Sequence, residues 1–205
     1  FGAEYMDRAL TIVGQNPRAR RAVRLLFRDV NRGSIGGFAK RSQLAPEIVT
    51  EVLELCIAHP LMKADALRCA TQIDHPGARG LVENYATSPD AQLRAIAAER
   101  IGAFGIETLR PALEALCKDA DGEVRLAALR GRKKLGPRNT DAALVDLLAD
   151  PHTAVRSFAL RELRDRTNAA INRHLLTCLT DPDQGVRRDA ALALNNRARE
   201  GRGEI

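Results

Sequence analysis

Polar and apolar positions along this chain follow one order that returns every 31 residues. It reads Ser88-Pro89-Asp90-Ala91-Gln92-Leu93-Arg94-Ala95-Ile96-Ala97-Ala98, then Asp119-Ala120-Asp121-Gly122-Glu123-Val124-Arg125-Leu126-Ala127-Ala128-Leu129. It returns from Asp150-Pro151 and again from Asp181-Pro182, with a weaker echo at Met62-Lys63 and Ala66-Leu67. In every copy an apolar residue (Leu93, Val124, Val155, Val186) lies four positions before an alanine (Ala97, Ala128, Ala159, Ala190). That spacing puts the two on one face of a helix. The small alanine leaves room for a neighbouring helix. A second apolar set precedes each copy: Leu109, Leu113, Leu116 and Cys117; Leu144, Leu147 and Leu148; Ile171, Leu175, Cys178 and Leu179. Each unit therefore predicts helix, short turn, helix. Ser88, Asp119, Asp150 and Asp181 read as N-caps. Pro89, Pro151 and Pro182 read as first helical residues, and Gly105 and Gly136 as helix ends. The pattern predicts helices at about 80–87, 89–104, 107–118, 121–135, 140–149, 151–166, 168–180 and 182–199. A fixed period of this size implies an all-α solenoid, a stack of about five to six antiparallel helix pairs around one core.

Before residue 80 the pattern is looser. Residues 3–14 and 17–31 each read as a helix, with Asn16-Pro17 as the cap between them and Val23-Arg24 as a shifted echo of the Val-Arg pair. Residues 32–37 read as a glycine-rich loop that lacks the spacing of a phosphate-binding loop. Residues 38–53 have the spacing of a helix-turn-helix, weakened by Gln43 in the turn and by Glu47, Glu51 and Glu54 on the recognition helix. The competing reading is a loop leading into the first repeat helix. Gln72 to Arg79 read as a turn. The division is a basic segment, 1–46, acting as a capping or degenerate repeat, followed by an array over 47–205. Its approximate repeats are 47–73, 80–105, 107–136, 140–166 and 168–199.

The motif D-P-x-x-x-V-R-x-x-A-L, present with variations four times between 88 and 198, resembles the HEAT-like repeats, in particular the short bacterial type noted in phycobilisome lyases. The resemblance implies a ladder of Asp and Arg columns joining adjacent repeats. Here these are Asp119, Asp150 and Asp181 with Arg94, Arg125, Arg156 and Arg187. It also implies protein–protein interaction more often than catalysis, with the second helix of each pair lining a concave binding face.

Composition agrees with packed helices: aromatic residues make up only 3% and tryptophan is absent. No stretch approaches the ~18 apolar residues that span a bilayer, and the start of the chain has no long apolar run, so the expected setting is cytoplasmic. Cys56, Cys69, Cys117 and Cys178 form no C-x-x-C pair and sit at or near apolar positions, as buried free thiols do. The formal charge of +6 is uneven: residues 1–46 hold nine Lys/Arg against three Asp/Glu, whereas 47–205 hold 23 of each sign. This asymmetry motivates a nucleic-acid reading through Arg18, Arg20, Arg21, Arg24, Lys40 and Arg41. A second basic cluster, Arg130, Arg132, Lys133 and Lys134, is a candidate contact for an acidic partner. Arg132 is the one charged member of the column Ala70, Ile101, Arg132, Leu163, Leu194. His174 stands alone and reads as structural. With no His-Glu pairs, triad, metal cluster or nucleotide loop in the sequence, the expectation is a protein that is not an enzyme and takes no cofactor. The leading function is a scaffold for a protein or peptide partner, and the alternative is DNA binding.

Overall fold

A computed structural model describes residues 2–28, 44–59, 62–70, 76–103, 105–136, 140–166, 168 and 170–200. Among them lie twelve α-helices and no strand. They are α1 (Gly2–Ile12), α2 (Pro17–Arg28), α3 (Pro46–Ala58), α4 (Lys63–Ala70), α5 (Pro76–Ala86), α6 (Ala91–Ala103), α7 (Arg110–Leu116), α8 (Gly122–Leu135), α9 (Asp141–Asp146), α10 (Thr153–Leu163), α11 (Ile171–Thr177) and α12 (Gln184–Glu200). One 3-10 turn precedes α7, and others extend α9 and α11.

The helices form an all-α solenoid of six consecutive pairs. The second helices α4, α6, α8, α10 and α12 stack side by side in that order, and among the first helices α1, α3, α5 and α7 pack in sequence, as do α9 and α11. The four-apart columns explain why: Leu93, Ala97, Val124, Ala128, Val155, Ala159, Val186 and Ala190 are all buried. The core runs from Ala9 to Ala128 and again from Leu144 to Ala193. Between them, Leu126, Leu129 and Val155 form a bridge that shares Cys117 with one side and Leu147 with the other.

The tightest contact is between α6 and α8. A Cβ placed on Gly131 would lie 2.6 Å from the carbonyl oxygen of Ala98, and one on Gly102 would fall inside the shell of Gly131 Cα. Two glycines facing one another thus let the backbones touch, a closer approach than the alanine columns alone provide.

Several expectations need correction. Ser88, Asp119, Asp150 and Asp181 are not the N-caps. Each accepts the backbone N–H two residues on, from Asp90, Asp121, His152 and Asp183, at 2.7–3.2 Å. The helix caps sit at those later positions. Asp121 accepts from Glu123 and Val124, Asp90 from Gln92, and Asp183 from Val186. The prolines accordingly occupy the turn and not the first helical turn, since α6, α10 and α12 begin at Ala91, Thr153 and Gln184. The turn predicted over 72–79 is helical from Pro76, because Pro fits the first position of a helix as readily as a turn. Leu179, expected on the apolar face, is 37% exposed. The glycine-rich loop at 32–37 lies outside the described residues.

The echo of the Val-Arg pair in the first helix pair is Ala19-Arg20, one turn before Val23-Arg24. Asn16 caps α2 through bonds from Arg18 and Ala19. That puts Arg20 four residues past its cap, as Arg125 is past Asp121.

Candidate functional site

Four successive turns of the array are each held by an arginine. Arg94, Arg125, Arg156 and Arg187 direct Nη1 to the carbonyls five and six residues earlier, at 2.7–3.2 Å. In the first three, Nε and Nη2 form a fork onto a carboxylate 25 residues ahead. Arg94 reaches Asp119, Arg125 reaches Asp150 and Arg156 reaches Asp181, all at 2.6–2.9 Å. One guanidinium therefore closes its own turn and grips the next, which needs the planar five-donor geometry of arginine. Where the column holds Lys63, the partner is the cap residue Asp90. Arg20 bonds through Nη1 to the carbonyl of Gly14, six residues back, and to that of Leu10.

The hydrogen bonds from Arg94 and Arg156 hold Asp119 and Asp181 below the usual carboxylate range. At Asp150 burial pushes the other way, and the bonds from Arg125 and the His152 N–H outweigh it. Lowered folded-state values mean that these carboxylates stabilise the array fully above the unfolded carboxyl pKa of ~4. That contribution is lost as pH falls through the folded values. The thermal midpoint should therefore drop as pH falls below about 4, and Asp150→Asn should flatten the slope, as a calorimetric pH series would show.

The basic cluster on α8 borders a groove of about 570 Å³ on the second-helix face, spanning α6, α8 and α10. Glu99, Arg130 and Arg161 occupy the same position in three successive repeats and line it, with Arg100, Lys134 and Phe158. Arg132 is turned to Glu114 at 2.8 Å, and Lys133 to Glu162 at 2.6 Å. Arg161 reaches Asp189 at 3.2 Å. Arg100, Arg130 and Lys134 make no ion pair among the described residues. The sequence could single out Arg130 and Lys134 by their run of charge. Arg100 and Phe158 carry no such signal, because the groove arises only when three repeats stack.

On the N-terminal pair, Arg18, Arg21 and Arg24 are exposed on α2, whereas Arg20 is half-buried on its two carbonyls. Lys40 and Arg41 lie outside the described residues, as do residues 38–43 of the helix-turn-helix segment. Its second half is α3, which buries Val49, Thr50, Val52, Leu53, Leu55, Cys56 and Ile57 and exposes Glu47, Glu51 and Glu54.

His174 is half-buried at the edge of a smaller cleft with Asp141 and Asp146. Burial pushes the Cys56 thiol up to about 12 and the Cys69 and Cys117 thiols to about 11. Thiols so disfavoured as thiolates are poor nucleophiles near neutral pH. Among the described residues no three metal-ligating side chains converge, and no helix is long and apolar enough to cross a membrane.

Compared with known protein families, residues 50–133, 78–164 and 141–201 match the family described as HEAT repeats. A search of the curated proteins found no match.

Proposed function

This chain belongs to the HEAT-repeat family, and from that premise we propose that it is a non-catalytic scaffold. It binds an acidic segment of a partner protein on the concave face lined by its second helices. Residues 1–46 serve as a basic cap on the array over 47–205. The observation that carries this reading is the groove across α6, α8 and α10, where Arg100, Arg130 and Lys134, which make no ion pair among the described residues, lie beside the half-buried ring of Phe158. Arg132 and Lys133, paired to Glu114 and Glu162, contribute less. Stacked helices hold this surface rigid, so a peptide docking there orders little of the protein on binding. The aromatic ring supplies an apolar anchor and the cations supply register.

The test is fluorescence anisotropy with a short labelled peptide of glutamates around a central leucine. The expected result is saturable binding that weakens about tenfold or more in Arg130→Glu/Lys134→Glu, with the glutamine version of the peptide failing to bind. Equal binding of both peptides would refute the reading.

A second reading rests on the exposed arginines Arg18, Arg21 and Arg24 of α2: duplex DNA bound through phosphates, with Lys40, Arg41 and the helix-turn-helix-like segment 38–53 contributing. Glu47, Glu51 and Glu54 on the exposed side of α3 weigh against it. On this reading, affinity for a generic duplex falls by orders of magnitude between ~50 and ~200 mM salt and is lost in Arg18→Ala/Arg21→Ala/Arg24→Ala.

A further inference from the structure

The groove across α6, α8 and α10 has a charge order of its own. The column that lines it reads Glu99, Arg130, Arg161, and 31 residues further, on α12, it continues with Leu192. These four helices neighbour one another in that order, so the column crosses the stack as one line of side chains. Arg130 and Arg161 are exposed in the middle of the stack, and Leu192 is 43% exposed. Exposure is therefore a property of the column and not of its last member. Arg130 makes no ion pair among the described residues, and Arg161 keeps 59% of its side chain exposed while reaching Asp189. Glu99 disfavours an acid at its own place in the line, and Leu192 favours an apolar group at the other end. A ligand that matches the whole line carries a cation, two acids and an aliphatic side chain, in that order.

The spacing selects the conformation of such a ligand. Packed helices lie roughly 8–10 Å apart. A polyproline-type helix repeats every three residues at about 9 Å and returns its side chain to the same side. A β-strand, whose side chains alternate, returns to one side after about 7 Å or about 13 Å and falls out of step. An α-helix comes into step with seven residues, at about 10.5 Å, but is about 10–12 Å across with its side chains. A volume of about 570 Å³ drawn out over two helix spacings leaves a groove only roughly 6 Å wide. The half-buried ring of Phe158 lies in it, and prolines of such a ligand dock readily on aromatic rings.

Resting on the scaffold reading of this groove, we propose that the acidic partner segment binds as a polyproline-type stretch crossing the helices. At three-residue intervals it presents a cation to Glu99, acids to Arg130 and Arg161, and an aliphatic side chain to Leu192. A stretch already in that conformation loses little freedom on docking, and a wrong charge order sets like charges against one another.

Fluorescence anisotropy with labelled peptides tests this. One peptide places Lys, Glu, Glu and Leu at every third position with prolines and alanines between. A second carries the same order in reverse, so that both chain directions are covered. Two controls of identical composition exchange the Lys with its neighbouring Glu. In the direction that binds, the native protein should prefer the ordered peptide over its control by about tenfold or more. Glu99→Arg/Arg130→Glu should invert that preference, a result that loss of folding cannot mimic. Leu192→Ala should weaken the ordered peptide several-fold and leave unchanged a version with Ala in place of its Leu. Equal affinity for ordered and exchanged peptides, lost for both in Arg130→Glu/Lys134→Glu, would overturn the proposal and leave the acidic-segment reading in place. Tighter binding of a helical peptide with the same residues at every seventh position would do the same. No binding of any of these peptides, nor of the glutamate peptide, would overturn both.

Discussion

Arg125→Ala is expected to cost about 3–5 kcal/mol of stability, which for a chain of this size lowers the thermal midpoint by roughly 10 °C. The side chains of Arg125 and Asp150 are only 12% and 9% exposed. Removing the guanidinium leaves a desolvated carboxylate whose remaining support is the His152 N–H at 2.7 Å. The same change also frees the carbonyls of Asp119 and Ala120. Arg125→Lys should recover little, because an ammonium cannot bond two carbonyls and a two-pronged carboxylate together. The double variant Arg125→Ala/Asp150→Ala should be less destabilised than the sum of the single variants, since neither charge is then left alone. Thermal denaturation of the four proteins checks this. Additive losses would show that the pair contributes no coupling between repeats.

The second large effect is a reversal of sign. An alanine in place of glycine inside a helix normally stabilises by up to ~1 kcal/mol. At Gly102 the added methyl would land on the backbone of Gly131, with the Gly131 carbonyl carbon 2.6 Å away. Backbone cannot rotate aside as a side chain can, so α6 and α8 must separate along their contact. Gly102→Ala is expected to destabilise by about 3 kcal/mol. Gly80→Ala on α5, where nothing lies within 4 Å of the new methyl, should stabilise by a few tenths to ~1 kcal/mol. Urea denaturation of both variants gives the comparison. Stabilisation in both would mean that the two helices are not in backbone contact.

The repeat columns made the fold legible because each position does one physical job in every copy. Val124 and Ala128 pack, Arg125 grips, and the same holds 31 residues on. What the sequence obscured was the role of neighbours. Asp150-Pro151 looks like a cap followed by a first helical residue, but the carboxylate faces Arg125 and the helix begins three residues later, at Thr153. Arg20 belongs to the arginine column, yet it stands 43 residues before Lys63 instead of 31, so a fixed period passes over it. The weak helix-turn-helix spacing at 38–53 shares its second half with a repeat helix, since both motifs ask for the same buried positions, Val49 and Val52. The groove was least visible. Arg100, Arg130 and Phe158 lie on three different helices, and only stacking brings them to one surface.

The most direct test of the account is a side-by-side titration of the labelled glutamate peptide at ~150 mM salt, where exposed charges are screened beyond ~8 Å. The proteins compared are the native chain, Arg130→Glu/Lys134→Glu and Arg18→Ala/Arg21→Ala/Arg24→Ala. The account predicts that the native chain and the α2 variant bind alike, while the groove variant loses about tenfold or more. Loss in the α2 variant with binding retained by the groove variant would place the acidic partner at the N-terminal end of the array and contradict the account.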